Sequence, residues 1–145
     1  RDILIMEKEM RAASDETLVT TDDGSYGIKG FVTTALKELL ARGERIDLVY
    51  AIGPVVMMKS VADVTRPLGI KTIVSLNPVM VDGTGMCGGC RVQVGGETKF
   101  ACVDGPEFDG AIVDFAGLQA RQGMYWEMEA RAREHVCRIG LGRNA

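Results

Sequence analysis

Several features that would assign this protein to a common class are scarce in its sequence. The 145 residues contain one histidine, and aromatic residues make up 6%. The histidine, His135, follows a polar stretch of helical composition, so we expect it to be inert rather than an acid–base group or a ligand. No apolar run approaches the ~18 residues that a membrane span requires, so we expect a soluble protein without a membrane span.

Basic charge is too scattered to form a patch. The formal net charge is −3, and no cluster of lysine and arginine suited to a phosphate backbone is visible. We therefore expect no nucleic-acid partner. The chain is 46% hydrophobic and 26% charged, which is ordinary for a globular domain.

Cysteine is also sparse, and its distribution is uneven. Three of the four cysteines lie in one local stretch, and Cys137 stands apart. This is unlike the disulfide framework of a small secreted protein, so we expect a reducing, cytoplasmic location. Cys137 is predicted to be a surface or interface thiol.

The three grouped cysteines form the most informative pattern in the chain. Two residues separate Cys87 from Cys90, Cys102 follows later, and four residues separate Asp82 from Cys87. With cysteine in place of Asp82, this would be the plant-type C-x4-C-x2-C…C spacing of a [2Fe–2S] cluster. A carboxylate is a harder ligand than a thiolate, but it can bind ferric iron. We therefore predict four metal ligands: Asp82, Cys87, Cys90 and Cys102.

Other interpretations of this stretch remain open. A redox-active C-x-x-C normally opens a helix, whereas residues 91–94 alternate as a strand does. Zinc would accept the same four ligands, although zinc sites usually combine two closely spaced pairs. Three cysteines without metal are a further alternative. Asp82 before a glycine is also an ordinary turn residue.

The first half of the chain predicts helices alternating with strands. The predicted helices are 1–13, 31–42 and 54–66, and the predicted strands are 17–21, 46–52 and 71–76. This alternation indicates an α/β fold with part of a doubly wound parallel sheet. Ligands bind beyond the carboxyl ends of such strands, which places loops 21–30, 52–57 and 77–81 at a binding site.

The second half predicts a β-hairpin and a carboxyl-terminal helix. Strands at 91–94 and 97–103 flank a Gly-Gly turn, which is a strong hairpin signal. The hairpin would return Cys102 to the other two cysteines. Residues 104–110 have turn composition, residues 113–115 form a short strand or a docking segment, and residues 118–135 have helical composition.

Taken together, these motifs resemble the ferredoxin–NADP reductase superfamily. The runs 75–90 and 100–110 are similar to electron-transfer subunits that carry a small [2Fe–2S] domain after their nucleotide-binding domain. One branch, the dihydroorotate dehydrogenase electron-transfer subunits, has four cysteines at the cluster. The other, the alpha subunits of NADH-dependent reduced ferredoxin:NADP oxidoreductase (also called sulfide dehydrogenase subunits), has an aspartate and three cysteines. Asp82 favours the second branch.

The resemblance also implies a pyridine-nucleotide site. Residues 21–27 are similar to the family's T-D-D-G-S-x-G loop at the adenosine end, and residues 52–57 to its C-G-P-x-x-M motif at the nicotinamide end, with Ile52 in place of the cysteine. A carboxylate accepts from a ribose hydroxyl but repels a 2′-phosphate, so we favour NAD(H), although Asp-Asp-Gly is also a common solvated turn. The implied contact residues are Thr21, Asp22, Asp23, Gly24, Ser25, Gly53 and Pro54.

By the same resemblance, electrons pass between NAD(H), FAD and a [2Fe–2S] cluster. The implied partners are ferredoxin and a larger subunit with FAD and [4Fe–4S] clusters. No flavin-binding motif occurs in these residues, so we expect FAD only in a full-length subunit whose carboxyl-terminal part is this chain, inactive alone and without catalytic side chains. The expected division is 1–77 for the nucleotide-binding part, 78–112 for the iron–sulfur domain and 113–145 for a helical segment. A dihydroorotate dehydrogenase subunit and a non-redox, zinc-stapled module are the alternatives.

Overall fold

A computed structural model of the chain describes residues 4–134. The helices are α1 (Glu7–Ala13), α2 (Val32–Ala41), α3 (Val55–Thr65), α4 (Ala101–Asp104), α5 (Phe115–Gly123) and α6 (Trp126–Glu134), with a 3₁₀ turn at Arg66–Leu68. The strands are β1 (Thr20–Thr21), β2 (Ile28–Lys29), β3 (Leu48–Ile52), β4 (Lys71–Ser75), β5 (Arg91–Val94), β6 (Glu97–Phe100) and β7 (Glu107–Asp109).

A three-stranded sheet in the order β3-β4-β7 lies at the centre of the described chain. β3 and β4 are parallel, with Leu48 opposite Lys71 and Ile52 opposite Ser75. The crossover between them is α3, as a parallel pair requires. β7 pairs antiparallel with β4 and so returns the chain from the cysteine stretch to the sheet. The architecture is mixed α/β with small parallel sheets.

One apolar core joins the sheet to the second half of the chain. α3 buries five residues at helical spacing, and Met58 among them is 0% exposed. The same cluster includes residues of β5 and α5. Its buried members are Ala51, Val55, Met58, Val61, Ala62, Val74, Leu76, Val92, Val94, Val113, Phe115 and Leu118. The hairpin and α5 are therefore packed onto the sheet rather than tethered to it.

The first predicted strand does not join this sheet. β1 pairs in parallel with β2 instead, with Thr20 opposite Ile28. At the end of β1, the Thr21 carbonyl accepts hydrogen bonds from the amides of Gly24 and Gly30. Among the described strands, β3 therefore has a neighbour on one edge only, and the expected three parallel strands in one sheet are reduced to two.

The second half has a hairpin at the predicted position and differs from the prediction in three other places. β5 and β6 pair antiparallel around Gly95 and Gly96, whose φ angles of 61° and 82° suit a two-residue hairpin turn. The second strand ends at Phe100, so Cys102 lies in α4 rather than in a strand. Part of the predicted turn 104–110 is β7, and the predicted helix 118–135 is divided into α5 and α6.

Some sequence predictions lie outside the described residues, including those for His135 and Cys137. Within residues 4–134, no helix is long and apolar enough to cross a membrane. α1 begins at Glu7 and is amphipathic without a buried residue. It is held by polar contacts, since Tyr26 donates to Glu7 at 2.7 Å and Arg11 pairs with the same carboxylate at 2.8 Å.

Met58→Ala should destabilise the protein by about 2–5 kcal/mol, because it opens a cavity at a fully buried core position. Val56→Ala, at a 63% exposed position of the same helix, is the matched control and should cost far less. Urea unfolding followed by circular dichroism measures both. Equal losses for the two variants would contradict the core described here.

Candidate functional site: the cysteine loop and the neighbouring crevice

Asp82 closes the loop that carries two of the cysteines. We call residues 82–90 the cysteine loop. Asp82 Oδ1 accepts a hydrogen bond from the Thr84 amide, and Oδ2 accepts one from the Cys87 amide, both at 2.9 Å. The Thr84 amide, followed by the Cys87 amide and thiol, lowers the pKa of Asp82. The side chain is therefore a carboxylate at neutral pH that holds the turn preceding Cys87.

Glycines let the cysteine loop fold back on itself. Gly83, Gly85 and Gly88 have φ angles of 74°, 81° and 65°, in the left-handed region that other residues rarely adopt. A Cβ at Gly85 would lie 3.2 Å from Val103, next to Cys102. The loop therefore lies close to α4, which carries the third cysteine.

The structure brings Cys90 and Cys102 together. Their Sγ atoms are 3.2 Å apart, and the Ala101 amide donates to the Cys90 carbonyl at 3.2 Å. Cys90 is buried, and the Cys102 amide and then its thiol lower the pKa of Cys90. The same contact, with burial, raises the pKa of Cys102. The contact therefore shifts the pKa values of the two thiols in opposite directions, downward for Cys90 and upward for Cys102.

Cys87 is the third free thiol among residues 4–134 and is more exposed than the other two. Its Sγ accepts a hydrogen bond from the Gly89 amide at 3.4 Å. Cys87, Cys90 and Cys102 are all unoxidised. Within residues 4–134, no three Cys, His, Asp or Glu side chains lie close enough together to hold a metal ion. The structure thus brings Cys90 and Cys102 into sulfur–sulfur contact and joins Asp82 to the Cys87 amide, but it does not gather the four predicted ligands at one point.

The donor chemistry of these residues nevertheless fits an iron–sulfur group. Two thiolates on one tetrahedral metal are about 3.8 Å apart, which requires only a small separation of Cys90 from Cys102. Cys87 lies on a glycine-rich loop that has few side chains to reposition. Three thiolates are the soft ligands that iron–sulfur clusters use, and the carboxylate is a harder, negatively charged ligand that ferric iron also accepts.

The predicted adenosine loop forms a compact turn. Thr21 Oγ1 donates to the Tyr26 carbonyl at 2.7 Å and accepts from the Tyr26 amide at 3.2 Å. Asp23 Oδ1 accepts from the Ser25 amide at 2.9 Å, which lowers the pKa of Asp23. Asp23 therefore stabilises the turn, whereas Asp22 lines a cavity.

Two cavities adjoin the start of α3. One, of about 510 Å³, is lined by Asp22, Phe31 and Pro54 among others. The larger, of about 1110 Å³, is lined by Gly53, Pro54, Asn77, Gln122 and Trp126 among others. Gly53 follows β3, and Asn77 lies just beyond β4, so this crevice is at the carboxyl ends of the parallel strands. Of the predicted nucleotide contacts, Asp22 and Pro54 therefore line the smaller cavity, and Gly53 and Pro54 line the larger one.

Sequence reasoning missed the polar residues that fasten the cysteine loop to its surroundings. Arg91 Nη1 donates to the Gly88 carbonyl, and Arg121 Nη2 donates to the Gly89 carbonyl, both at 3.0 Å. Gln122 Nε2 donates to the Asn77 carbonyl at 3.1 Å. Single polar residues on a strand and a helix carry no recognisable motif. Only the fold shows that α5 lies against the loop.

Comparisons with known proteins find a matching family and similar chains. The family described as the iron–sulfur cluster binding domain of dihydroorotate dehydrogenase B matches residues 77–114. An uncharacterised protein from the adh 3′ region of Clostridium beijerinckii is 53% identical over 94% of the chain and 46% of its own length. A Thermotoga maritima protein, named as a homologue of the dihydroorotate dehydrogenase B (NAD(+)) electron transfer subunit, is 53% identical over 89% of the chain and 45% of its own length.

A solved structure is also similar. It is that of the NADH-dependent reduced ferredoxin-NADP oxidoreductase, described in connection with flavin-based electron bifurcation. It is 51% identical, with a TM-score of 0.81, over 92% of this chain and 48% of the solved chain. The chain therefore spans about half the length of the relatives it matches.

Asp82→Ala should loosen the start of the cysteine loop in the metal-free protein. The amides of Thr84 and Cys87 lose their acceptor, so their hydrogen exchange, measured by NMR, should become several-fold faster. Asp109→Ala is the matched control, because that carboxylate accepts from the Ala111 amide in another turn. Unchanged exchange at Thr84 and Cys87 would show that Asp82 does not hold the loop.

Proposed function

We propose that this chain is part of an electron-transfer subunit that uses flavin and iron–sulfur groups. The proposal rests on its being a homologue of the dihydroorotate dehydrogenase B electron-transfer subunits and of the NADH-dependent reduced ferredoxin-NADP oxidoreductase. One observation carries the proposal. Three free cysteines and a loop-closing carboxylate follow Asn77 in the chain, and Asn77 lines a crevice at the carboxyl ends of two parallel strands.

Asp82, Cys87, Cys90 and Cys102 would hold a [2Fe–2S] cluster, which supplies one-electron transfer next to the two-electron chemistry of NAD(H) and FAD. Cys90 and Cys102 are already in contact and would bind with little rearrangement. Asp82 holds Cys87 through its amide, and each of its oxygens keeps a second lone pair for iron. The glycine-rich loop leaves room for the inorganic core.

The two cavities beside α3 would receive the pyridine nucleotide. Asp22 would accept from a ribose hydroxyl, while Thr21, Asp23, Gly24 and Ser25 would hold the shape of that loop. Gly53 and Pro54 would lie at the nicotinamide end, where strand β3 gives way to α3. FAD would be bound by a part of the full-length subunit that these residues do not include.

The likeness to multi-subunit oxidoreductases supports partner proteins as well. We infer a larger subunit with FAD and [4Fe–4S] clusters, and ferredoxin as the electron carrier. The dihydroorotate dehydrogenase B subunits named among the relatives support a second candidate function, electron transfer from dihydroorotate oxidation. Asp82, in the position of the four-cysteine branch's first cysteine, favours the first.

After anaerobic reconstitution with iron and sulfide, the chain should contain about two irons and show an S = ½ electron paramagnetic resonance signal once reduced. Cys90→Ser should abolish most of the cluster, because Cys90 is the buried thiol in contact with Cys102. Cys137→Ser is the control and should retain it. A colourless protein that binds one zinc ion instead would overturn electron transfer in favour of the zinc-stapled module.

Asp22→Arg should shift the nucleotide preference of the full-length subunit toward NADPH by roughly tenfold or more. The change removes a charge that repels the 2′-phosphate and adds one that pairs with it. Flavin reduction by NADH and by NADPH measures the ratio of kcat/KM values. Asp15→Arg, at an exposed position outside the adenosine loop, is the charge-matched control, and an equal shift there would exclude a direct role for Asp22.

A further inference from the structure

Two of the three peptide units between Cys87 and Cys90 are each held by an arginine. The carbonyl of Gly88 accepts from Arg91 Nη1, and the carbonyl of Gly89 accepts from Arg121 Nη2, both at 3.0 Å. The Arg91 amide approaches the Gly88 carbonyl as well, at 3.4 Å. Both peptides of the Gly-Gly pair are therefore fixed by their oxygen atoms.

Fixing a carbonyl also fixes the amide that shares its peptide plane. In a trans peptide the C=O and N–H groups point in opposite directions. The Gly88 carbonyl faces Arg91, and the amide of the same peptide, that of Gly89, donates to Cys87 Sγ at 3.4 Å. By the same geometry, the Cys90 amide points away from Arg121. Arg91 thus orients the Gly89 amide toward Cys87 Sγ, and Arg121 fixes the next peptide through its carbonyl.

The two arginines reach the loop from different elements. Arg91 is the first residue of β5, directly after Cys90, and Arg121 lies on α5. Gln122, next to Arg121, bonds to Asn77 before the loop, so α5 contacts both the chain that leads into the cysteine loop and the end of the loop itself. Neither Arg91 nor Arg121 forms a salt bridge with any described residue. Asp114 lines the same pocket as both arginines without pairing with either of them.

We propose that Arg91 and Arg121 are positioning residues that orient the Gly88–Gly89 and Gly89–Cys90 peptides toward the cysteine sulfurs and thereby raise the reduction potential of the cluster. The inference rests on the proposed function. Reduction adds negative charge, which N–H donors to sulfur and nearby cations stabilise. Polarisation by a guanidinium also strengthens the N–H donor of the same peptide. Each arginine thus changes the reduction potential of the cluster without contacting a cysteine sulfur.

The test compares cluster potentials in the reconstituted full chain. Arg91→Gln and Arg121→Gln should each lower the reduced-to-oxidised ratio at a fixed potential by about tenfold, equivalent to a midpoint about 59 mV lower for one electron. Arg91→Lys keeps the charge but loses the planar donor fork, so its shift should be intermediate. Arg45→Gln removes an exposed arginine that pairs only with Asp47 and should leave the midpoint unchanged.

A second measurement needs no cluster. In the metal-free protein, Arg91→Gln should accelerate hydrogen exchange at the Gly89 amide, followed by NMR, because its peptide is released. Arg45→Gln should leave that amide unchanged. Midpoints within the range of Arg45→Gln, or unaltered exchange at Gly89, would overturn the inference. A wild-type chain that takes up no iron would instead refute the proposed function, and the Gly89 exchange would still decide whether Arg91 positions the peptide.

Discussion

The packing of α3 against β3 and β4 is the constraint on which the rest of the structure depends. Met58 and Val74 are completely buried in it, and the same core continues into Val92 of the hairpin and Leu118 of α5. The cysteine loop contributes one member to the buried apolar set, Cys90. The packing of the surrounding helices and strands therefore sets the position of the loop, because burial of apolar area supplies most of the stabilisation.

Hydrogen bonds from polar side chains restrain the cysteine loop, which apolar packing holds at Cys90. The loop is closed at its start by Asp82 and is held at its end by Arg91 and Arg121. All three act on backbone groups, which leaves the thiols free for other partners. This division is physically useful in a segment rich in glycine. Glycine permits the left-handed turns but adds no side chain to restrain them, so the restraint has to come from neighbours.

The sequence predicted some parts of this arrangement better than others, for identifiable reasons. α3 and β4 have long periodic patterns, and both lie within a residue or two of their expected bounds. β7 was missed because three residues, Glu-Phe-Asp, give too short an alternation, and it forms only by pairing with β4. The contacts of Arg121 were invisible, since they join residues 32 positions apart. Cysteine spacing identifies a donor set, but it does not describe what orients the loop.

The position of Asn77 connects the two halves of the site. It lies just beyond β4, lines the large crevice beside Gly53, and precedes the cysteine loop. Gln122 bonds to its carbonyl, and the adjacent Arg121 bonds to the Gly89 carbonyl. Two consecutive side chains of one helix thus fix the chain on either side of residues 78–88. A displacement of α5 would therefore alter the crevice and the cysteine loop together. Both follow β4, because the crevice lies at the carboxyl end of that strand and the chain continues from Asn77 into the cysteine loop.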